Sequence, residues 1–149
     1  MKKLIILLLL IITTIGNAQI FEPVKWSTEV VKISNTEFEL IAIASIDSGW
    51  HLYSQNVPEN GPIATTFLFN SNPNYLKKGN TNEDPGHIIN DPIFNMKIKF
   101  FETQAKFKQR IKLKKPKPLI LNASVEFMVC DDSRCLPPTE VNLVFNINN

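Results

Sequence analysis

Val125-Glu126-Phe127-Met128-Val129-Cys130-Asp131-Asp132-Ser133-Arg134-Cys135-Leu136-Pro137-Pro138-Thr139-Glu140-Val141 holds both cysteines of this 149-residue chain. Before Cys130 the apolar residues Val125, Phe127 and Val129 fall at every second position. After Cys135 the same is true of Val141, Leu143, Phe145 and Ile147. Period two is the mark of a half-buried strand, so the cysteines bracket a turn between two strands. Opposite Cα atoms in an antiparallel pair are about 4.5 to 5.5 Å apart, within reach of a disulfide. Closing so short a ring removes little chain entropy, on the order of 2 kcal/mol against about 4 to 5 for a ring of a hundred residues. As a staple alone the bridge is a weak choice.

Outward from that turn the same alternation recurs. Met96-Lys97-Ile98-Lys99-Phe100 and Phe107-Lys108-Gln109-Arg110-Ile111-Lys112-Leu113 set apolar residues on one side and cations on the other, which predicts two strands. Lys25 to Ile33 and Glu37 to Ile46, parted by Ser34-Asn35-Thr36, predict an opening hairpin, and Trp50 to Tyr53 a short aromatic strand or corner. Ser54 to Pro62 is a loop, Ala64 to Asn70 a strand, and Asn72 to Pro85 a polar stretch with a short strand at Tyr75 and Leu76. No helical period follows residue 18. About eight short strands with turn signals between them predict an all-β fold, an immunoglobulin-like antiparallel β-sandwich. Pro116 and Pro118 mark a turn rather than a linker.

The amino terminus, Met1-Lys2-Lys3, an apolar run from Leu4 to Ile12, and Gly16-Asn17-Ala18, has the layout of an export signal. The run is too short to span a membrane, and no cysteine follows Ala18 to accept a lipid. Residues 1–18 are therefore expected to be a signal peptide cleaved near Ala18, and residues 19–149 a single exported domain without stable membrane insertion. Sixteen basic and fourteen acidic residues become fourteen of each once Lys2 and Lys3 are removed. A neutral mature chain argues against nucleic acid as a partner. Nine cations fall between Lys97 and Lys117 against the single Glu102, a solvated strand face guarded from edge pairing by lysine. His51 and His87 are too few, and Met96 and Met128 too scattered, to compose a metal site with the cysteines, so neither metal nor cofactor is expected. His51 reads as a packed core residue.

Thiol exchange needs a thiolate, an accessible sulfur and a second thiol to resolve the mixed disulfide. Asp131 and Asp132 beside Cys130 disfavour a thiolate there, whereas Arg134 beside Cys135 favours one. Cys135 is the sulfur expected to meet a partner. A structural hairpin disulfide in an inert binding or accessory module is the competing reading of the same residues.

The turn and its flanks resemble the signature of the N-terminal periplasmic domain of the thiol:disulfide interchange protein DsbD. Val24-Lys25-Trp26, Gly49-Trp50-His51-Leu52-Tyr53 and the segment Asp91 to Phe101 extend the likeness over nearly the whole mature chain. The resemblance implies a periplasmic domain that takes electrons from a membrane thiol reductase and passes them to periplasmic thioredoxin-like proteins. By that likeness Cys135 forms the mixed disulfide and Cys130 resolves it. It also implies a cap loop over the disulfide at Asp91-Pro92-Ile93-Phe94-Asn95, with Ile93 or Phe94 as the covering side chain, and tuning by Tyr53 and Asp91 near the cysteines.

Overall fold

The computed structural model describes residues 21–148. The expected signal peptide, residues 1–18, lies outside them. Eleven strands and no helix are found among the described residues: β1 Val24–Lys32, β2 Glu37–Ile46, β3 His51–Tyr53, β4 Thr66–Phe69, β5 Tyr75–Glu83, β6 His87–Asp91, β7 Met96–Phe101, β8 Gln104–Leu113, β9 Leu119–Phe127, β10 Val129–Cys130 and β11 Thr139–Ile147. They form three sheets, ordered β1-β2-β8-β5, β10-β3-β7-β6 and β11-β9-β4, and every pairing is antiparallel. The architecture is the all-β, immunoglobulin-like sandwich that the alternation predicts.

Alternation decides which side chains meet. Phe38, Leu40, Ala42 and Ala44 of β2 and Phe107, Ile111 and Leu113 of β8 supply one wall of the main core. Leu121, Ala123, Val125 and Phe127 of β9 with Leu143, Phe145 and Ile147 of β11 supply the other. Trp26 is set between the walls, 5.9 Å from Phe67, 5.7 Å from Phe107 and 5.4 Å from Phe127, ring centroid to ring centroid.

Two expectations are corrected. The short strand at Tyr75 and Leu76 is a nine-residue strand, β5, running to Glu83. Tyr75 is its only buried apolar residue, so its sequence carries no hydrophobic period. What holds it is the backbone ladder to β8, interrupted by a bulge between Lys78 and Asn82, and the buried Gln109 opposite. Gln109 Nε2 donates to the carbonyls of Lys78 (3.1 Å) and Arg110 (2.8 Å), while its Oε1 accepts from Thr81 Oγ1 (2.9 Å). A buried polar side chain is stable there because the Lys78 carbonyl beside the bulge, the Arg110 carbonyl and the Thr81 hydroxyl satisfy it. The cationic strand β8 is also not an edge: it lies between β2 and β5. Two of its cations instead face acids on neighbouring chain segments, Arg110 Nε 3.6 Å from Glu39 and Lys108 Nζ 3.6 Å from Asp84.

The feature that builds the site is a change of sheet. β9 pairs with β11 as far as Phe127↔Thr139, and the next residues toward the turn on the β11 side are Pro138 and Pro137, which have no amide to donate. The chain crosses at Met128, and Val129 and Cys130 pair with Leu52 and His51 of β3 in the other sheet.

Candidate functional site: a disulfide turn

Cys130 and Cys135 form a disulfide, with Cα atoms 4.0 Å apart. The turn between them is organised by Asp131. Its Oδ1 accepts from the amides of Ser133 and Arg134, both at 2.8 Å, and its own amide donates to the Arg134 carbonyl at 2.9 Å. The Ser133 amide, followed by the Arg134 amide and guanidinium, holds the Asp131 carboxyl below the usual carboxylate range. Arg134 turns its Nε to Asp131 Oδ2 (3.3 Å) and its guanidinium over the Trp50 ring (5.8 Å). Leu136 N closes the hairpin on the Val129 carbonyl at 2.9 Å.

The two sulfurs differ in environment. Cys130 is 1% exposed, whereas Cys135 is partly exposed. Cys130 packs in a small second core with Tyr53, Ile98 and Phe100, ringed by Val57, Phe94, Met96, Met128 and Cys135. This cluster is separate from the main core: on β3, Leu52 enters the main core and Tyr53 the second. Strand alternation thus sends adjacent residues to opposite faces, and the disulfide belongs to the outer one.

Residues 91–95 lie over that face. Asp91, 5% exposed, accepts from the Tyr53 hydroxyl through Oδ2 at 2.8 Å and from the amides of Ile93 (2.9 Å) and Phe94 (3.0 Å) through Oδ1. Its carbonyl accepts from Asn95 N at 2.8 Å, and Asn95 adopts φ 52°, a left-handed conformation that asparagine tolerates. One carboxylate therefore ties the turn to the floor of the site. Burial first, then the hydrogen bond to Asp91 and its charge, pushes the Tyr53 phenol far above its ordinary range, so it remains a donor. The turn directs Phe94 inward, edge-on to Tyr53 with centroids 6.0 Å apart, and leaves Ile93 39% exposed.

The loop that brings Val57 to the cluster is anchored by Glu83, whose side chain is 8% exposed. Its carboxylate accepts from Lys99 Nζ (2.8 Å), Ser54 Oγ and Gln55 N (2.8 Å). Burial alone would raise this carboxyl, but the bonds from Lys99, Ser54 and Gln55 outweigh it and leave the group below its ordinary value. A carboxyl depressed on folding stabilises the fold above its unfolded pKa, and that contribution disappears as pH falls through the folded value. Thermal unfolding followed between pH 6 and pH 3 is expected to show Tm falling with acid, and Glu83→Gln is expected to lower Tm at pH 6 and flatten that fall.

Sequence reading did not place His51, Val57, Met96 and Met128 at the cysteines. His51 is the ladder partner of Cys130, and only the sheet change at Met128 brings the two together. Met96 and Met128 pack against the disulfide cluster.

Residues 21–145 match the family described as thiol:disulfide interchange protein DsbD, N-terminal. The chain belongs to that family. No curated protein sequence matches it. Among solved structures, the N-terminal periplasmic domain of ScsB from Proteus mirabilis is similar at 14% identity and TM-score 0.59, over 88% of this chain and 49% of that one. The complex between the DsbD N-terminal and PilB N-terminal domains from Neisseria meningitidis is similar at 12% identity and TM-score 0.53, over 90% of this chain and 91% of the matched one. At such identities the likeness establishes the shared DsbD N-terminal fold. Membership of the DsbD N-terminal family and a disulfide at the Cys130–Cys135 turn together fit thiol:disulfide exchange.

Proposed function

We propose that this chain is an exported domain that passes electrons between a membrane thiol reductase and periplasmic thioredoxin-like proteins through Cys130 and Cys135. The observation that carries this reading is the asymmetry of the pair: a partly exposed Cys135 joined to a Cys130 buried in a cluster against which Phe94 packs. A bridge that only stapled the hairpin would need neither a reachable sulfur nor a separately tethered cover. In the donating direction the Cys135 thiolate attacks a partner disulfide, and one partner sulfur leaves as thiolate. The Cys130 thiolate then attacks Cys135 Sγ, the Cys130–Cys135 bond re-forms, and the second partner sulfur departs. Two electrons have passed to the partner. Reloading by the membrane reductase is the reverse sequence.

In this reading Phe94 is the cap and Ile93 is not, Asp91 is its latch, and the mature domain begins near Gln19 in the periplasm. Between exchanges the ring excludes water and small oxidants from the reduced pair. Redox titration of the mature protein against glutathione tests the function. A reduction potential within the range of exchange proteins, about −120 to −270 mV, is expected. A value below about −300 mV marks a disulfide that resists cellular reductants and favours an accessory module with a structural bridge.

A further inference from the structure

His51 stands opposite Cys130 in the β3–β10 pair, and facing residues of an antiparallel pair project to the same side with Cβ atoms about 4.5 to 5.5 Å apart. The ring lies against Phe100, centroids 4.5 Å apart, and each of its nitrogens meets a carboxylate. Nδ1 is 3.3 Å from Glu102 Oε1, and Nε2 is 3.4 Å from Asp132 Oδ1. Nδ1 is buried and its approach to Glu102 is outside hydrogen-bonding geometry, so that contact is attractive through charge only when the ring is protonated. A neutral imidazole with its proton on Nε2 serves Asp132 alone; an imidazolium would also draw Glu102 by charge.

We propose that His51 is a positioning residue for exchange at Cys130, its imidazolium serving as counter-charge when the Cys130 sulfur carries the leaving electron pair. The inference deepens the exchange reading and rests on it. Asp131 and Asp132 both follow Cys130 and oppose a thiolate there. Asp131 is already engaged by the turn amides and Arg134, which leaves Asp132 as the charge to be balanced, and Asp132 is the carboxylate that His51 holds. The groups facing the imidazole are Glu102 from the β7–β8 turn, Asp132 from the cysteine turn, Phe100 from β7 and Cys130 from β10; Arg134 is drawn to Asp131 and Trp50.

Dithiothreitol provides the test without a protein partner. Its thiolate attacks Cys135 Sγ, the Cys130–Cys135 bond breaks and the electron pair leaves on Cys130 Sγ. The reagent's second thiolate then closes on the first reagent sulfur and expels Cys135. Two electrons pass from reagent to protein, and the two protons given up by the reagent are available to the two cysteines. Opening of the oxidised mature protein is followed from pH 5.5 to 8.5, with each rate divided by the thiolate fraction of the reagent. For the native protein the normalised rate is expected to be about threefold higher at the acid end of this series than at the alkaline end. His51→Gln is expected to be flat at the lower level. Asp132→Asn and Glu102→Gln remove the charges that hold the imidazole beside Cys130, are expected to show a smaller difference between the acid and alkaline rates, and carry the test should His51→Gln not fold. An unchanged profile in His51→Gln, or in both carboxylate variants, overturns the inference alone. A disulfide that dithiothreitol opens at no pH overturns it together with the exchange reading.

Discussion

Replacing Asp91 with alanine is expected to destabilise the fold by about 3 kcal/mol and to speed reduction of the Cys130–Cys135 disulfide by dithiothreitol on the order of tenfold. The stability loss follows from what the carboxylate holds. The Tyr53 hydroxyl, on a fully buried side chain, loses its acceptor, and the amides of Ile93 and Phe94 lose theirs. Hydrogen bonds to a charged group contribute about 1.5 to 3 kcal/mol, and an orphaned buried donor costs about 1 to 3. The rate gain follows from the same bonds. Once the turn is released, the Phe94 ring is held by its apolar contacts alone, and each 1.4 kcal/mol removed from closure gives about tenfold more of the open form. Asp91→Asn retains an acceptor oxygen and is expected to fall between the two. Phe94→Ala should reproduce the rate gain with a smaller stability loss, because the Asp91 bonds to Tyr53 and the turn amides survive it. Ile93→Ala should leave both quantities near those of the native protein. Urea unfolding and stopped-flow reduction measure the pair of effects. A fast Ile93→Ala beside a slow Phe94→Ala would reverse the assignment of the cap.

The framework was legible wherever burial on one face left period two in the residues: β7, β8, β9 and β11 are read directly from Met96 to Phe100, Phe107 to Leu113, Val125 to Phe127 and Val141 to Ile147. β5 was illegible beyond Leu76 because its stability lies in backbone bonds and in the single buried Gln109, neither of which leaves a pattern in its own residues. At the site, the cysteines announce themselves by spacing, the nearness of Tyr53 and Asp91 to them is implied only by the family resemblance, and the bond between those two appears only in the structure. His51 and Asp132 are 81 residues apart in the chain. Their meeting depends on Pro137 and Pro138 ending one ladder and on β10 joining another, a consequence of tertiary pairing that no local signal carries. Phe94 and Ile93 are equally apolar; what separates them is the Asx turn at Asp91, which aims one ring inward and leaves its neighbour outside.

The sharpest consequence of the asymmetric pair concerns single-cysteine variants. Cys130→Ser leaves Cys135 as the lone, partly exposed sulfur, and with no resolving thiol any mixed disulfide it forms with a thioredoxin-like protein should persist. Cys135→Ser leaves only Cys130, which is buried against Tyr53, Ile98 and Phe100, and should accumulate at least tenfold less of that adduct, because attack at Cys130 needs the cluster to open, and each 1.4 kcal/mol of opening cost is a factor of about ten. Both variants should abolish turnover, since exchange by a dithiol requires both sulfurs. Non-reducing electrophoresis of each variant after incubation with an oxidised thioredoxin-like protein measures the adduct, and the Phe94→Ala background separates two causes of a low yield. If the cap limits access, Phe94→Ala raises the Cys130→Ser adduct; if Cys135 is the wrong sulfur, removing the ring leaves it low and the Cys135→Ser adduct dominates. Equal trapping by both variants would mean that the burial difference does not select the attacking sulfur. The absence of any adduct in either variant, with and without the ring, would remove the exchange reading and leave the disulfide as a clasp on a β-hairpin.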